Sequence, residues 1–143
     1  MEKIAVVYWS GTGNTETMAK EIANGAKEAG ADVAVLTVSE FSPGMVANYD
    51  KLAFGCPSMG AEQLEESEFE PMFASVEGML SGKEIALFGS YGWGSGEWMC
   101  NWQERCTAAG ARIFDGEGLI INEAPDDAGI EICREFGKAF TAS

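Results

Sequence analysis

Short apolar runs and helix-spaced apolar stripes alternate along the whole chain, and that alternation limits its fold more than any other feature. Ile4-Ala5-Val6-Val7-Tyr8 is apolar without a break, as in a strand covered on both faces. Met18, Ile22, Ala26 and Ala29 then recur at steps of four, four and three, which predicts an amphipathic helix closed by Gly30. The pattern repeats. Val33 to Val38 reads as a second strand, Ser42-Pro43-Gly44 breaks the chain, and Leu52-Ala53-Phe54-Gly55-Cys56 reads as a third. Phe69, Met72, Phe73, Val76 and Leu80 trace a helical stripe ended by Ser81-Gly82, and Ile85-Ala86-Leu87-Phe88 is the fourth strand. Trp98, Met99, Trp102, Cys106 and Ala109 form the next stripe, up to Gly110. The fifth strand is the least regular, because Asp115-Gly116-Glu117-Gly118 divides Ile113-Phe114 from Leu119-Ile120-Ile121. Ile130, Cys133, Phe136 and Phe140 make a closing helix with Pro125 near its start. Five strands alternating with helices predict an α/β fold: one doubly wound parallel sheet, helices on both faces, right-handed crossovers. With no repeat or linker to divide it, residues 1–143 are expected to form a single domain.

In such a sheet, ligands sit beyond the carboxyl ends of the strands, where the strand order reverses. The loops after the first, third and fourth strands therefore carry the functional information. The first is Ser10-Gly11-Thr12-Gly13-Asn14-Thr15, at a helix start. Its two glycines let backbone amides turn toward one point, and its hydroxyl and amide side chains complete an anion cradle that uses the positive end of the helix dipole. It has no lysine or arginine, so it lacks the Gly-Lys-Ser/Thr ending that nucleotide hydrolysis by a P-loop requires. The dinucleotide fingerprint fails too, because its third glycine falls on Glu16. A phosphate monoester on a resident cofactor suits this loop; an ordinary turn with an Asn or Thr helix cap is the plainer alternative.

After the third strand comes Cys56-Pro57-Ser58-Met59-Gly60-Ala61-Glu62, then the acidic Glu65-Glu66-Ser67-Glu68. After the fourth comes Ser90-Tyr91-Gly92-Trp93-Gly94-Ser95-Gly96. Trp93, flanked by glycines too small to cover it, is poised to lie flat on a planar ring, and Met59 offers a polarizable opposite wall. Each could instead be a lid or filler of the domain's own core.

Charge and cysteine usage exclude several functions. Nine basic against twenty-three acidic residues give a net charge of -14, which repels nucleic acid and anionic membrane surfaces and calls for partners with basic patches. There is no histidine, which removes the commonest general base and metal ligand. Cys56, Cys100, Cys106 and Cys133 lack CxxC spacing, so no zinc or iron–sulfur site is expected. Met1-Glu2-Lys3 leads directly into a strand too short for a signal-peptide core or a membrane span, and a cytoplasmic protein with reduced thiols is expected.

Tyr8-Trp9-Ser10-Gly11-Thr12-Gly13-Asn14-Thr15, Met59-Gly60 with Glu62, and Gly89-Ser90-Tyr91-Gly92-Trp93-Gly94 together resemble the flavodoxins, small FMN-binding electron carriers, and in particular the short-chain type of anaerobic bacteria. The likeness runs the whole length. It implies strand order 2-1-3-4-5, flavodoxins being themselves a standard instance of the switch-point rule. It also implies that Ser10, Thr12, Asn14 and Thr15 hold the FMN phosphate with the loop amides, that Trp93 and Met59 cover the two faces of the ring, and that Glu62 accepts from the flavin N3–H. Gly92 would reach the pyrimidine edge and Asn122 the ribityl chain or ring edge. Trp9, Gly11, Gly13, Pro57, Ser58, Ser90, Tyr91 and Gly94 are carried over as further cofactor-binding positions. At Gly60 the family's peptide turns over on one-electron reduction so that its carbonyl accepts the new flavin N5–H, a movement only glycine makes at little steric cost. Ala61 departs from a position that is often polar in relatives.

The function so implied is a low-potential one-electron carrier with FMN as cofactor, no metal, and no substrate of its own. It would act as a monomer docking transiently on basic surfaces of redox enzymes. The main alternative is an FMN-dependent NAD(P)H or quinone reductase on the same fold. Against it stands the lack of a basic cluster for a second nucleotide phosphate. A phosphate-binding domain without flavin would leave Trp93 and Met59 without purpose.

Overall fold

The computed structural model describes residues 2–59, 62–92 and 94–143; Gly60, Ala61 and Trp93 lie outside the described residues, as does Met1. Strand β1 (Lys3–Tyr8) leads into helix α1 (Asn14–Glu28), β2 (Asp32–Thr37) and, after two short 3-10 turns, β3 (Lys51–Gly55). Helix α2 (Phe69–Glu77), β4 (Glu84–Tyr91), α3 (Glu97–Ala108), β5 (Arg112–Ile113), β6 (Leu119–Asn122) and α4 (Asp127–Ala142) follow. All strand pairings in the sheet are parallel, in the order β2-β1-β3-β4-β5. β6 also pairs with β4, parallel and further along: Ile85 of β4 pairs with Ile113, and Phe88 pairs with Leu119. The fifth position of the sheet is thus two short strands rather than one. Asp115, at φ 65°, turns the chain out of the sheet in the 3-10 turn Phe114–Gly116 between them.

Alternate residues of β1 feed two cores. Ala5 and Val7 face α2 and α3 together with Leu52, Phe54, Leu87 and both Trp98 and Trp102. Ile4, Val6 and Tyr8 face α1 and α4 with Ala53, Ala86, Phe88 and Phe140. On the first face, Phe54 meets Phe73 edge-on at 5.2 Å and Phe69 meets Trp102 edge-on at 5.3 Å. Such pairs contribute about 0.5–1.5 kcal/mol each beyond the area they bury. On the second, α1 and α4 pack backbone against backbone: a Cβ at Gly25 would overlap the Arg134 carbonyl, and one at Gly137 the Ile22 carbonyl. At the start of α4, Asp126 is the cap, its Oδ1 accepting the Gly129 N–H at 2.8 Å, and Pro125 stands just before it.

This topology sets the site. The chain reverses direction across the sheet between β1 and β3, so the loops leaving the carboxyl ends of β1, β3 and β4 open on a common edge.

Candidate functional site: a cavity at the switch point of the sheet

The loops converge because pairing continues past the strand ends. Trp9 N–H donates to Gly55 O at 3.0 Å, Cys56 N–H to Phe88 O at 3.1 Å, and Ser58 N–H to Ser90 O at 3.0 Å. They surround a cavity of about 240 Å³. Trp9, Gly11, Thr12 and Asn14 line it from the first loop, Pro57, Ser58 and Met59 from the second, and Ser90, Tyr91 and Gly92 from the third. Ten of the expected positions therefore share one cavity although they come from three distant stretches of chain.

One end of the cavity is built for an anion. Helix α1 is capped by Gly13 at φ 98°, a left-handed conformation that other residues enter only with strain, and no side chain caps its first turn. The plainer alternative, an Asn or Thr cap, is not the one used. Ser10 instead braces the loop from within, its Oγ accepting the Gly13 N–H at 3.0 Å. Glu16, the acidic residue of that first turn, is held by Tyr8 Oη, which donates to it at 3.2 Å, and by Lys20 at 3.3 Å. The first-turn amides and the helix dipole thus face the loop without a local side-chain acceptor.

The walls are largely apolar. Trp9 is fixed by its Nε1–H, which donates to Glu68 Oε1 at 3.1 Å. Met59 sits at a pinch point, where Met59 N–H donates to Gln63 O at 2.8 Å and Gln63 N–H returns to Met59 O at 2.9 Å. The Tyr91 ring lies tilted on Trp98, with centroids 5.7 Å apart. The Cys56 thiol, at the entrance to the second loop, is buried, and burial pushes its pKa up to about 12. It is therefore a neutral packing group and not a nucleophile.

Other expected positions stand beside the cavity rather than in its lining. The Thr15 hydroxyl is buried against Ser90 Oγ at 3.1 Å, so it ties α1 to β4. Asn122 Nδ2 donates to Tyr91 O at 3.2 Å, which makes it a brace of the third loop. Glu62 reaches α3: its Oε1 accepts the Gly96 and Glu97 N–H groups, both at 3.1 Å, at the start of that helix. There it lines a separate recess with Gln63, Leu64, Trp98 and Asn101. Gly94 lies next to that carboxylate. The expectations for Gly60 and Trp93 fall outside the described residues.

Glu123 lines the cavity and is absent from the sequence-based set. Its backbone is left-handed, φ 57°, and its N–H donates to Tyr91 O at 2.7 Å. The one signal for it in the sequence is its place just after Asn122, at the carboxyl end of the last strand. Among the described residues no cluster of three or more His, Cys, Asp or Glu is arranged to hold a metal ion, and no helix is long and apolar enough to cross a membrane.

Comparison with known proteins agrees with this geometry. A family model described as flavodoxin matches residues 6–137. Among characterised relatives, the flavodoxin of Megasphaera elsdenii is 48% identical over 136 residues, spanning 95% of this chain and 96% of that one. The flavodoxin of Clostridium beijerinckii is 49% identical over 133 residues, spanning 93% and 95%. The solution structure of two-electron reduced Megasphaera elsdenii flavodoxin superposes with a TM-score of 0.88 at 47% identity, covering 98% of this chain and 99% of that one. The chain therefore belongs to the flavodoxin family, FMN-binding proteins that transfer electrons to redox enzymes and are not themselves enzymes.

Proposed function

We propose that FMN occupies the cavity at the carboxyl ends of β1, β3 and β4, with its phosphate at the first turn of α1 and its ring between the loops that carry Met59 and Trp93. The observation that carries this reading is the uncapped start of α1, opening through Thr12 and Asn14 into a cavity whose other walls are Met59, Pro57 and Tyr91. The donor set fits the cofactor. A phosphate needs several N–H and O–H donors, a flat heteroaromatic ring needs apolar walls, and both are present along one cleft. Ser10, Gly13 and Thr15 serve from behind, as braces of the phosphate loop.

FMN, when bound, supplies chemistry that the side chains lack, the uptake and release of single electrons. The chain's own residues orient the ring and set its surroundings. No lysine or arginine lines the cavity among the described residues, while the acidic Glu123 does. Extra negative charge on a reduced ring thus meets apolar walls and no cation, which supports a strongly reducing carrier. The net charge of -14 supports short-lived docking on basic partner surfaces, by a monomeric, cytoplasmic protein.

The test is a visible spectrum of the purified protein during stepwise reduction, with NADPH oxidation measured alongside. A yellow protein that binds FMN, changes colour at half-reduction and oxidises NADPH only when a separate reductase is added supports the reading. A colourless protein that refuses added FMN overturns it. Replacing Trp93 by Ala weakens FMN binding by about 1–3 kcal/mol if the indole stacks on the ring.

A further inference from the structure

Helix α3 starts without a cap of its own. Its first residue is Glu97, the residue before it is Gly96 at φ 89°, and no side chain from either end of that turn accepts the orphaned amides. The acceptor comes instead from 34 residues upstream, on the loop after β3: Glu62 Oε1 takes both Gly96 N–H and Glu97 N–H at 3.1 Å. A carboxylate at this end of a helix also meets the positive end of its dipole. Glu62 itself sits at φ 53°, inside the turn closed by the Met59–Gln63 bridge, so its backbone has little freedom to follow a displaced side chain.

The approach of this carboxylate to α3 runs over Gly94. A Cβ at that position would stand 2.5 Å from Glu62 Oε1 and 2.9 Å from Oε2, closer than real Cβ contacts come. We infer that Gly94 is a positioning residue: the space left by its missing side chain seats the Glu62 carboxylate on the α3 amides, and this contact extends the tie between the loops after β3 and β4, begun by Ser58 N–H to Ser90 O, out to the start of α3. The inference rests on the reading of that cavity as the FMN site only for its consequence at the flavin. Gly94 also has φ 92°, so any replacement carries a backbone cost unrelated to Glu62. A double-mutant cycle separates the two effects.

The experiment measures amide hydrogen exchange at Gly96 and Glu97 in the apoprotein for the parent, Glu62→Gln, Glu62→Ala, Gly94→Ala and the double variant Gly94→Ala/Glu62→Ala. Glu62→Ala and Gly94→Ala each speed exchange about tenfold, Glu62→Gln gives a smaller increase, and the double variant is no faster than Glu62→Ala alone. Additive acceleration, or a Gly94→Ala protein that exchanges like the parent, overturns the proposal. The same variants loaded with FMN give a second readout. Gly94→Ala shifts the reduction potential in the direction that Glu62→Ala does, and the double variant goes no further. Coupled exchange with a potential that neither variant moves supports the Gly94–Glu62 contact and overturns its consequence at the flavin.

Discussion

The Thr15 and Ser90 hydroxyls lie 3.1 Å apart across 75 residues of sequence, and the Ser90 N–H points at the same Thr15 oxygen from 3.3 Å. Both side chains are buried. The pair joins the start of α1 to the end of β4, the two elements between which the proposed FMN site opens. Thr15→Val keeps the shape but leaves the Ser90 N–H and O–H without their partner. A buried polar group left unsatisfied costs about 1–3 kcal/mol. Urea unfolding of the apoprotein should show that loss for Thr15→Val, and the double change Thr15→Val/Ser90→Ala should cost less than the sum of the two single changes. A Thr15→Val protein as stable as its parent would leave this bracket without energetic content.

Glu65 gives the fold a sensitivity to acid. Its carboxylate is buried at the start of α2, where Oε2 accepts Ser67 N–H at 2.9 Å and Oε1 accepts Glu68 N–H at 2.7 Å and Phe69 N–H at 2.8 Å. Burial alone would push its pKa up, but the three amide donors outweigh burial and hold it below the ordinary glutamate value. A folded pKa below the unfolded one means that the stabilisation is fully present above the unfolded value, about 4.3, and is lost as pH falls through the folded value. Urea midpoints measured from pH 6 down to pH 3 should therefore fall less steeply for Glu65→Gln than for the parent. Equal slopes would remove Glu65 from the acid response.

Much of this arrangement was legible in the order of residues alone. Continuous apolar runs at Ile4–Tyr8 and Ile85–Phe88 are what a strand covered on both faces demands, and the helical stripes between them leave a parallel sheet as the simplest packing. The cavity loops stood out for a similar reason: glycine, hydroxyl and amide residues at the carboxyl end of such strands satisfy no core. What could not be read were the partnerships across long separations. Glu62 is a flavin ligand by resemblance, yet its carboxylate caps α3, a contact that depends on where Gly94 and Gly96 come to rest. Glu123 enters the cavity through a left-handed backbone that no local periodicity signals. The fifth strand divides because Asp115 turns out of the sheet, whereas hydrophobic spacing reports only that two apolar pieces flank a polar one.

The four cysteines differ sharply in reactivity. Cys56, Cys106 and Cys133 are buried, and burial pushes each thiol up to about 12, so the thiolate that reacts with electrophiles is scarce at neutral pH. Cys100 is exposed on α3. An aromatic disulfide reagent applied at about pH 8, near the ordinary cysteine pKa of about 8.5, should therefore titrate one thiol in the native protein and four after denaturation. Cys100→Ser should abolish the fast native reaction. Rapid modification of a second thiol in the folded state would show that one of the buried sites opens readily.

Lys51 holds the last turn of α4 from the first residue of β3. It is only 5% exposed, and its ammonium donates to Phe140 O at 2.8 Å, Thr141 O at 3.1 Å and Ser143 O at 2.7 Å. These oxygens lie at the end of a helix, where intrahelical donors run out, Phe140 O keeping only a long 3.4 Å bond from Ser143 N–H, and where the dipole favours a cation. Glu84 and Glu2 stand 3.8 and 3.9 Å from the same nitrogen, so the charge is also balanced. Lys51→Met fills a similar volume but removes the ammonium from the Phe140, Thr141 and Ser143 oxygens and leaves Glu84 without its cation, with the Ser143 hydroxyl still donating to Phe140 O and Glu84. Removing one partner of a buried ionic network costs about 3–5 kcal/mol, with the lower end expected here because Glu2 and Ser143 reach solvent. The unfolding midpoint should drop accordingly, and amide exchange should speed up first in the last turn of α4. The opposite face of the sheet, where α2 and α3 pack, should keep its protection until global unfolding. If Lys51→Met unfolds with the parent's midpoint, α4 is held by its apolar stripe alone and the lysine is a passenger.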